Sequence, residues 1–424
     1  MIRYRINTAR TSSKCAKVRV APKAVKGVDV GAIDLTSAAY WIEIGDSAHR
    51  SNHPRMTIRK LTVWFFAMVF FAASGMSVAA VLPDNRSDLM YHYYKGGGVK
   101  VDGPALLVRE GVSDKASLAA SYYEDSVSGA SIDVLTTASP YRDKRQEYNV
   151  TADYLYRDSL MTFAYTTSKE SDYLADTYSF NIAHDLFSGL TTVNLGYTTG
   201  HDLVMRNHDP TFQRTLDRYQ YRVGLSQILT KSLIASLNYE AVIDDGYINN
   251  PYRYAIALGV FTPEKYPTTR DSHALAMQLR KGLDFFDKQE WRSSIKFDYR
   301  YFWDTWEITA NTVELGYQQY LTKRWLTDMH YRYYSQSKAV FYSDNFPSSG
   351  LLYMARDKEL STFNSHALGF KISYIWIDDR PFKLSQSFAY DYLHFNYDDF
   401  TDIRTGALYS FDASMIQLFV SFWY

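Results

Sequence analysis

From about residue 100 onward the chain alternates apolar and polar residues with a period of two. Tyr148, Val150, Ala152, Tyr154 and Tyr156 share one face, and Asn149, Thr151 and Asp153 the other. Tyr219, Tyr221, Val223 and Leu225 oppose Arg218, Gln220, Arg222 and Ser226. Leu368, Phe370, Ile372, Tyr374 and Trp376 alternate with Gly369, Lys371 and Ser373. Successive side chains of a strand point to opposite faces, so this period predicts strands. The runs are 100–109, 115–124, 132–138, 145–156, 159–168, 173–185, 189–201, 213–229, 232–244, 269–281, 290–303, 306–321, 324–338, 361–377, 382–396 and 407–424. That is about sixteen. The run 132–138 is the weakest, and without it fourteen is the alternative. Almost no stretch has the period of an amphipathic helix.

The last run closes the chain. Ile416, Leu418, Val420, Phe422 and Tyr424 lie on one face, and Ser421 and Gln417 share the other with Trp423, Phe419 and Met415. A terminal aromatic preceded by apolar residues at two and four places resembles the signal by which bacterial outer-membrane barrels are recognised for insertion. Val420, Phe422 and Tyr424 carry that resemblance; taken alone, the segment also reads as a buried core strand. The links between runs separate these readings. Short turns fall at Leu186–Gly189, Thr230–Ser232, Thr322–Arg324 and Asp378–Pro381, and longer links near 202–212, 245–268, 339–360 and 397–406. Alternating short and long connections is the habit of outer-membrane barrels. The phase puts the C-terminus on the short-turn, periplasmic side. The expected fold is an all-β, transmembrane, antiparallel up-and-down barrel, with its closing strand paired to the run at 100–109 and to 382–396.

The first hundred residues have a different pattern. Residues 1–55 hold ten Lys or Arg against four Asp or Glu and show no sustained period, as a misassigned upstream extension or a basic leader would. Residues 56–80 read as a signal peptide. Arg59 and Lys60 precede an apolar run from Leu61 to Ala73, and Val78 and Ala80 sit at peptidase spacing. That run is shorter than the roughly 20 residues a spanning helix needs. Residues 81–99 read as a Gly-rich lead-in, and 100–424 as the barrel. Gly96, Gly97 and Gly98 invite a phosphate-loop reading, but such a loop needs a helix after it, and residues 99–109 alternate like a strand.

Composition agrees with a barrel. Aromatics are 16% of the chain, with 37 tyrosines, which suits aromatic girdles. A mean hydropathy of −0.31 excludes a bundle of membrane helices. Cleavage after Ala80 would leave 34 Lys or Arg against 42 Asp or Glu, an acidic chain that speaks against nucleic-acid binding. It would also remove Cys15, the only cysteine, and with it disulfides and thiolate chemistry.

The polar faces carry both signs of charge: Arg218, Arg222, Glu240, Lys296, Asp298, Arg300, Glu314, Asp328, His330, Arg332, Lys371 and Asp391. Facing lipid near the midplane, an Arg or Lys would cost about 2–4 kcal/mol, so these belong to the lumen. They form either a network of ion pairs bracing a narrow interior or a polar channel whose charges select solutes. His201-Asp202 and His208-Asp209 lie in an expected outer loop, but their spacing matches no metal pattern. Asp244-Asp245, Asp378-Asp379 and Asp398-Asp399 read as turn formers, the outer ones able to meet divalent ions bridging lipopolysaccharide. His184, His201, His366 and His394 lie near rims, and no motif sets a serine beside them for catalysis. No cofactor or metal is expected.

GGGVKVDGP (96–104), SGASIDVLTTASPY (128–141), TSKESDYLADTYSF (167–180) and DLFSGLTTVNLGYTTGHDLV (185–204) together resemble a family of proteobacterial exported proteins of unknown function. The resemblance implies a barrel and an outer-membrane address, and assigns no functional residue. The resemblance also implies neighbouring genes for small lipoproteins and redox or flavin-attachment proteins, and through them an envelope redox or metal system. The expected partners are outer-membrane lipid and lipopolysaccharide, the barrel-assembly machinery through the C-terminal strand, and a periplasmic or lipoprotein component. Three functions stand: a pore or export conduit for small solutes, a docking barrel, and a rim-site enzyme.

Overall fold

Sixteen strands close on themselves in a computed structural model that describes residues 80–129, 141–207, 209–283, 292–379 and 381–424. They begin with β1 (Arg86–Gly96), β2 (Val99–Ser113), β3 (Ala116–Gly129), β4 (Tyr141–Tyr156), β5 (Ser159–Lys169), β6 (Tyr173–Leu186), β7 (Thr191–Arg206), β8 (Asp209–Thr230) and β9 (Leu233–Gly246). A small hairpin, β10 (Tyr254–Ala257) and β11 (Val260–Pro263), sits outside the barrel sheet. The barrel continues with β12 (Thr269–Leu283), β13 (Ser293–Asp304), β14 (Thr309–Tyr320), β15 (Trp325–Gln336), β16 (Phe363–Asp379), β17 (Phe382–Thr401) and β18 (Leu408–Trp423). Neighbours pair antiparallel, and β1 pairs with β18 from Arg86↔Trp423 to Gly96↔Ala413. Closure satisfies every strand's backbone, which is the condition hydrocarbon imposes on a spanning sheet.

The predicted number of strands is right, but its membership is not. β1 lies inside the stretch expected to be a lead-in, and the run 132–138 lies outside the described residues. The three glycines mark a tight hairpin instead of a flexible entry. Gly97 and Gly98 have φ of 57° and 85°, the left-handed pair a two-residue type I′ turn requires. β1 hides its period because it is aromatic on both faces, with Tyr91 and Tyr93 outward and His92 and Tyr94 inward. The closing strand therefore meets residues 86–96, not 100–109. Tyr424 completes the seam: its amide donates to Asn85 O (3.3 Å) and its hydroxyl to Arg109 O (3.3 Å).

Elsewhere the register carries the predicted alternation around the barrel. Leu106, Val150, Phe163, Leu237, Leu315, Met329, Leu368 and Leu418 are exposed on the outer face as an apolar band. At the end bearing both described termini, Trp325 packs on Tyr374, Tyr374 on Trp376, and Phe382 on Phe422. Rings that are apolar on one side and hydrogen-bonding at one tip suit a membrane interface. At the opposite end, outward tyrosines donate to outward carboxylates, as in Tyr91–Asp102 (2.8 Å), Tyr165–Asp176 (2.6 Å) and Tyr392–Asp412 (2.6 Å).

The connections at this second end include the two long ones, 247–268 and 337–362, which fold into a cap. The β10–β11 hairpin bridges to the other loop at Ala257↔Phe346, and Lys265 bridges Met354. Trp306, Phe341, Leu360, Phe363 and Phe400 form the cap's apolar core, Trp306, Leu360 and Phe400 being fully buried. The link expected near 202–212 is shorter: β7 runs to Arg206 and β8 starts at Asp209. His201 and Asp202 consequently sit in strand β7, not in a loop.

Candidate functional site: the barrel lumen

Alternation and register place all twelve charges selected from the sequence on the inner face. Arg222 Nε donates to Glu240 (3.0 Å), which also receives Gln220 (2.7 Å) and lies 3.8 Å from Arg300. Glu314 is held between Arg332 (2.5 Å) and Lys296 (2.9 Å), and Lys296 also meets Asp298 (2.8 Å). His330 Nε2 lies 2.9 Å from Asp391, across Gly369. A Cβ on Gly369 would stand 2.0 Å from the His330 ring and 2.3 Å from the Asp391 carboxylate, so the missing side chain is what lets the pair meet. Arg218 bonds Asp244 (2.6 Å), a partner the sequence did not suggest. Asp328 and Lys371 are register partners on β15 and β16, and the Lys371 ammonium lies 5.1 Å from the Phe419 ring centroid on β18. Further inward pairs escaped the sequence reading: Arg109–Asp153, His92–Asp125 (2.8 Å), Arg145–Glu147 (2.6 Å) and Arg270–Asp304 (2.5 Å). Strand parity could have placed each of these inward; nothing in the sequence names their partners.

The lumen is filled unevenly. Along β17, β18, β1 and β3 the inward side chains are buried: Ala389, Asp391 and Leu393; Ala413, Met415, Gln417 and Phe419; Met90 and His92; Tyr123 and Asp125. Met90, Tyr123, Ala389 and Phe419 make one apolar cluster there, and Ala367, Leu393 and Ala413 another. Along the middle of β5, β6 and β7 the inward residues are small, uncharged and mostly part-exposed, with Asp185 inward at one end and Asp202 and Tyr173 at the other. Register aligns them in three rows: Thr162–Asn181–Gly196, Ala164–Ser179–Thr198 and Thr166–Thr177–Gly200. Thr162 and Thr166 are tied to the neighbouring strand, at Asp153 (2.6 Å) and Asn149 (2.7 Å). Among the described residues, Thr177, Ser179, Asn181, Asn194 and Thr198 have no side-chain hydrogen bond. A buried polar group without a partner is costly, so groups like these belong where water or solute reaches them.

The cap covers the loop end of this open wall. Tyr252, from the link after β9, donates its hydroxyl to Asp172 (2.6 Å) and accepts from the Asn207 amide (2.5 Å), while Arg206 stacks over its ring. Tyr173, Asp202, Val204 and Leu216 are buried beneath. The cap carries its own charge cluster: Arg253 with Asp357 and Glu359, and Arg356 with Asp344 (2.6 Å). Burial raises the Tyr266 and Tyr342 hydroxyls well above the ordinary phenol range, so both stay protonated as donors, to Glu264 (3.0 Å) and to Asp399 O (3.0 Å).

The rim histidines do not converge. His184 meets Ser159 (2.8 Å), His201 meets Asp217 (2.6 Å), His366 meets Tyr331 (2.7 Å), and His394 meets Asp412 (2.7 Å) and Asn396 (2.9 Å), all on the outer face. His208 lies outside the described residues. Carboxylates of Asp143, Glu170 and Asp172 come within 4.8 Å of one another beneath the cap, but Asp172 is already engaged by Tyr252. Of the acidic pairs, Asp244 is an inward ion-pair member, while Asp399 accepts from the Thr362 amide (2.8 Å) and braces the cap.

Several solved barrels are similar to the chain. A bacterial polysaccharide outer membrane secretin is similar at 8% identity, over 81% of this chain and 100% of that one, with a TM-score of 0.46. A Pseudomonas aeruginosa FadL homologue is similar at 8% identity, over 80% and 90%, with a TM-score of 0.40. Pseudomonas aeruginosa OccK11 is similar at 10% identity, over 82% and 98%, with a TM-score of 0.36. At such identities the likeness concerns the fold alone. No curated protein matches the chain. The segment from 131 to 395, which holds the open wall, the cap and the inward charges, matches a family model, and the chain belongs to that family, the "Protein of unknown function (DUF3570)".

Proposed function

We propose that the protein is a bacterial outer-membrane conduit for small solutes, exported by the segment 56–80 and cleaved near Ala80. One observation carries this: along β5–β7, hydroxyls and carboxamides face the lumen with no protein partner, so that side holds water. The paired charges beside it then shape the lumen and hold it open. The twelve-residue network is in this view a brace, with Arg222–Glu240 and Arg218–Asp244 bordering the solute path. The end bearing the described termini faces the periplasm, and the cap faces outward. Outward carboxylates such as Asp102, Asp176 and Asp412 would meet lipopolysaccharide headgroups through divalent ions.

Purified protein in planar bilayers should show discrete conductance, and the Tyr252→Ala variant should open more often. Silence from both at every voltage would refute a conduit. The seam predicts assembly behaviour as well. Phe422→Asp or loss of Tyr424 should leave inner-membrane export intact and block barrel insertion, read as loss of heat-modifiable mobility.

The cap supports a second reading, a docking barrel with a sealed outer mouth, because Trp306, Leu360 and Phe400 are fully buried there. A periplasmic or lipoprotein partner would then be captured by crosslinking from Thr322–Arg324. Recovery of an uncrosslinked monomer from intact cells counts against it.

A further inference from the structure

We infer that the solutes this barrel passes are uncharged and polyhydroxylated, and that they travel along the β5–β7 wall instead of the barrel axis. This deepens the conduit reading and rests on it. Thr177, Ser179, Asn181 and Thr198 occupy adjacent register positions on β6 and β7, with small side chains and no protein partner among the described residues. A hydroxyl donates and accepts, and a carboxamide does both from separate atoms. Such a wall can exchange hydrogen bonds with a polyol's hydroxyls step by step, replacing the water each step removes.

A charged solute fares differently on this wall. It would shed hydration and find no charge within the three rows; of the carboxylates at their ends, Asp202 accepts from Tyr173 and Asp185 from Thr192 (2.6 Å), and the other flanking charges are committed to one another. Arg218 holds Asp244, Arg222 holds Glu240, and Asp153 holds Arg109 while accepting from Thr162. A ring of one sign would select ions; paired charges of both signs at the edges leave the row between them near neutral. The opposite wall offers no route, because its inward residues are buried and two apolar clusters fill the space before them.

The test is solute entry into proteoliposomes holding the full chain, with arabinose as the uncharged probe and sodium gluconate and lysine hydrochloride as charged probes. Arabinose should enter at least about fivefold faster than either charged probe, the direction expected of a pathway without a single-sign charge ring. Thr198→Trp should cut arabinose entry several-fold, and Thr167→Trp, on the lipid side of β5, should not. If Thr198→Trp does not fold, Ser179→Cys in a Cys15→Ser chain can be blocked after folding with N-phenylmaleimide, and entry should fall on labelling. Charged probes matching or exceeding arabinose would overturn the solute class while leaving the conduit standing. Undiminished arabinose entry through the labelled or Trp-bearing barrel would overturn the route. No entry of any probe, in this protein and in Tyr252→Ala alike, would instead remove the conduit reading.

Discussion

Two arcs of one barrel, β17–β18–β1–β3 and β5–β7, obey the same alternation and have opposite interiors. On the first arc, inward Phe419, Met90 and Tyr123 reach across strands and bury one another. On the second, inward Thr177, Ser179 and Thr198 are too short to reach anything, and the lumen beside them stays open. Outward residues do not distinguish the arcs: Leu418 and Val420 on one, Phe163 and Tyr178 on the other, are alike exposed. The difference lies in inward side-chain volume, which buries one arc's inner face and leaves the other's part-exposed.

Substitutions can break the contrast. Phe419→Ala should be the most damaging, because it empties a buried ring position and leaves the Lys371 ammonium without its aromatic partner. A Phe-to-Ala change in a packed site costs about 3–5 kcal/mol, and the midpoint of urea unfolding in detergent would show it. Gly369→Ala comes next, since its Cβ would split His330 from Asp391. Overpacking of this kind costs about 1–3 kcal/mol. The open-wall counterpart, Gly200→Ala, meets nothing nearer than Thr177 Oγ1 at 3.3 Å, with Arg218 Cβ and the Asp176 carbonyl at 3.7 Å, and should be tolerated. Equal losses at the two glycines would erase the distinction.

Tyr252→Phe removes one hydrogen bond to a carboxylate and one from an amide. A bond to a charged group contributes about 1.5–3 kcal/mol, but the loss should fall on the cap alone, read as faster proteolysis at 247–268 with an unchanged barrel midpoint. The smallest effect belongs to Ser179→Ala, expected within about 0.5 kcal/mol because the hydroxyl has no protein partner to lose. A large loss there would mean that the open wall is packed after all.

Much of the barrel is local information and was legible. A strand's two faces are set by neighbours two residues away, so Tyr148–Tyr156, Tyr219–Leu225 and Leu368–Trp376 announced both strand and orientation. The short turns were visible for the same reason. β1 was not, because rings on both its faces hide a period that only pairing with β18 and β2 makes plain. Among site residues, parity put Arg222, Glu314 and Asp391 in the lumen, but not which charge each would hold.

Partner choice depends on register and on absent side chains. His330 reaches Asp391 because Gly369 lies between them, and Arg218 takes Asp244 because those two residues stand opposite in the β8–β9 register. The cap is further still from sequence reach, since it joins Ala257 to Phe346 and Tyr252 to Asp172, contacts no local period encodes. The sequence by itself determined that a barrel forms, which face of each periodic strand turns outward, and that the last strand seals it. Only the tertiary structure decided that residues 86–96 are what it seals against, and that the lumen is packed on one arc and open on the other. The physical reason is that alternation is a property of one strand, whereas filling a lumen depends on how far side chains from many strands reach across it.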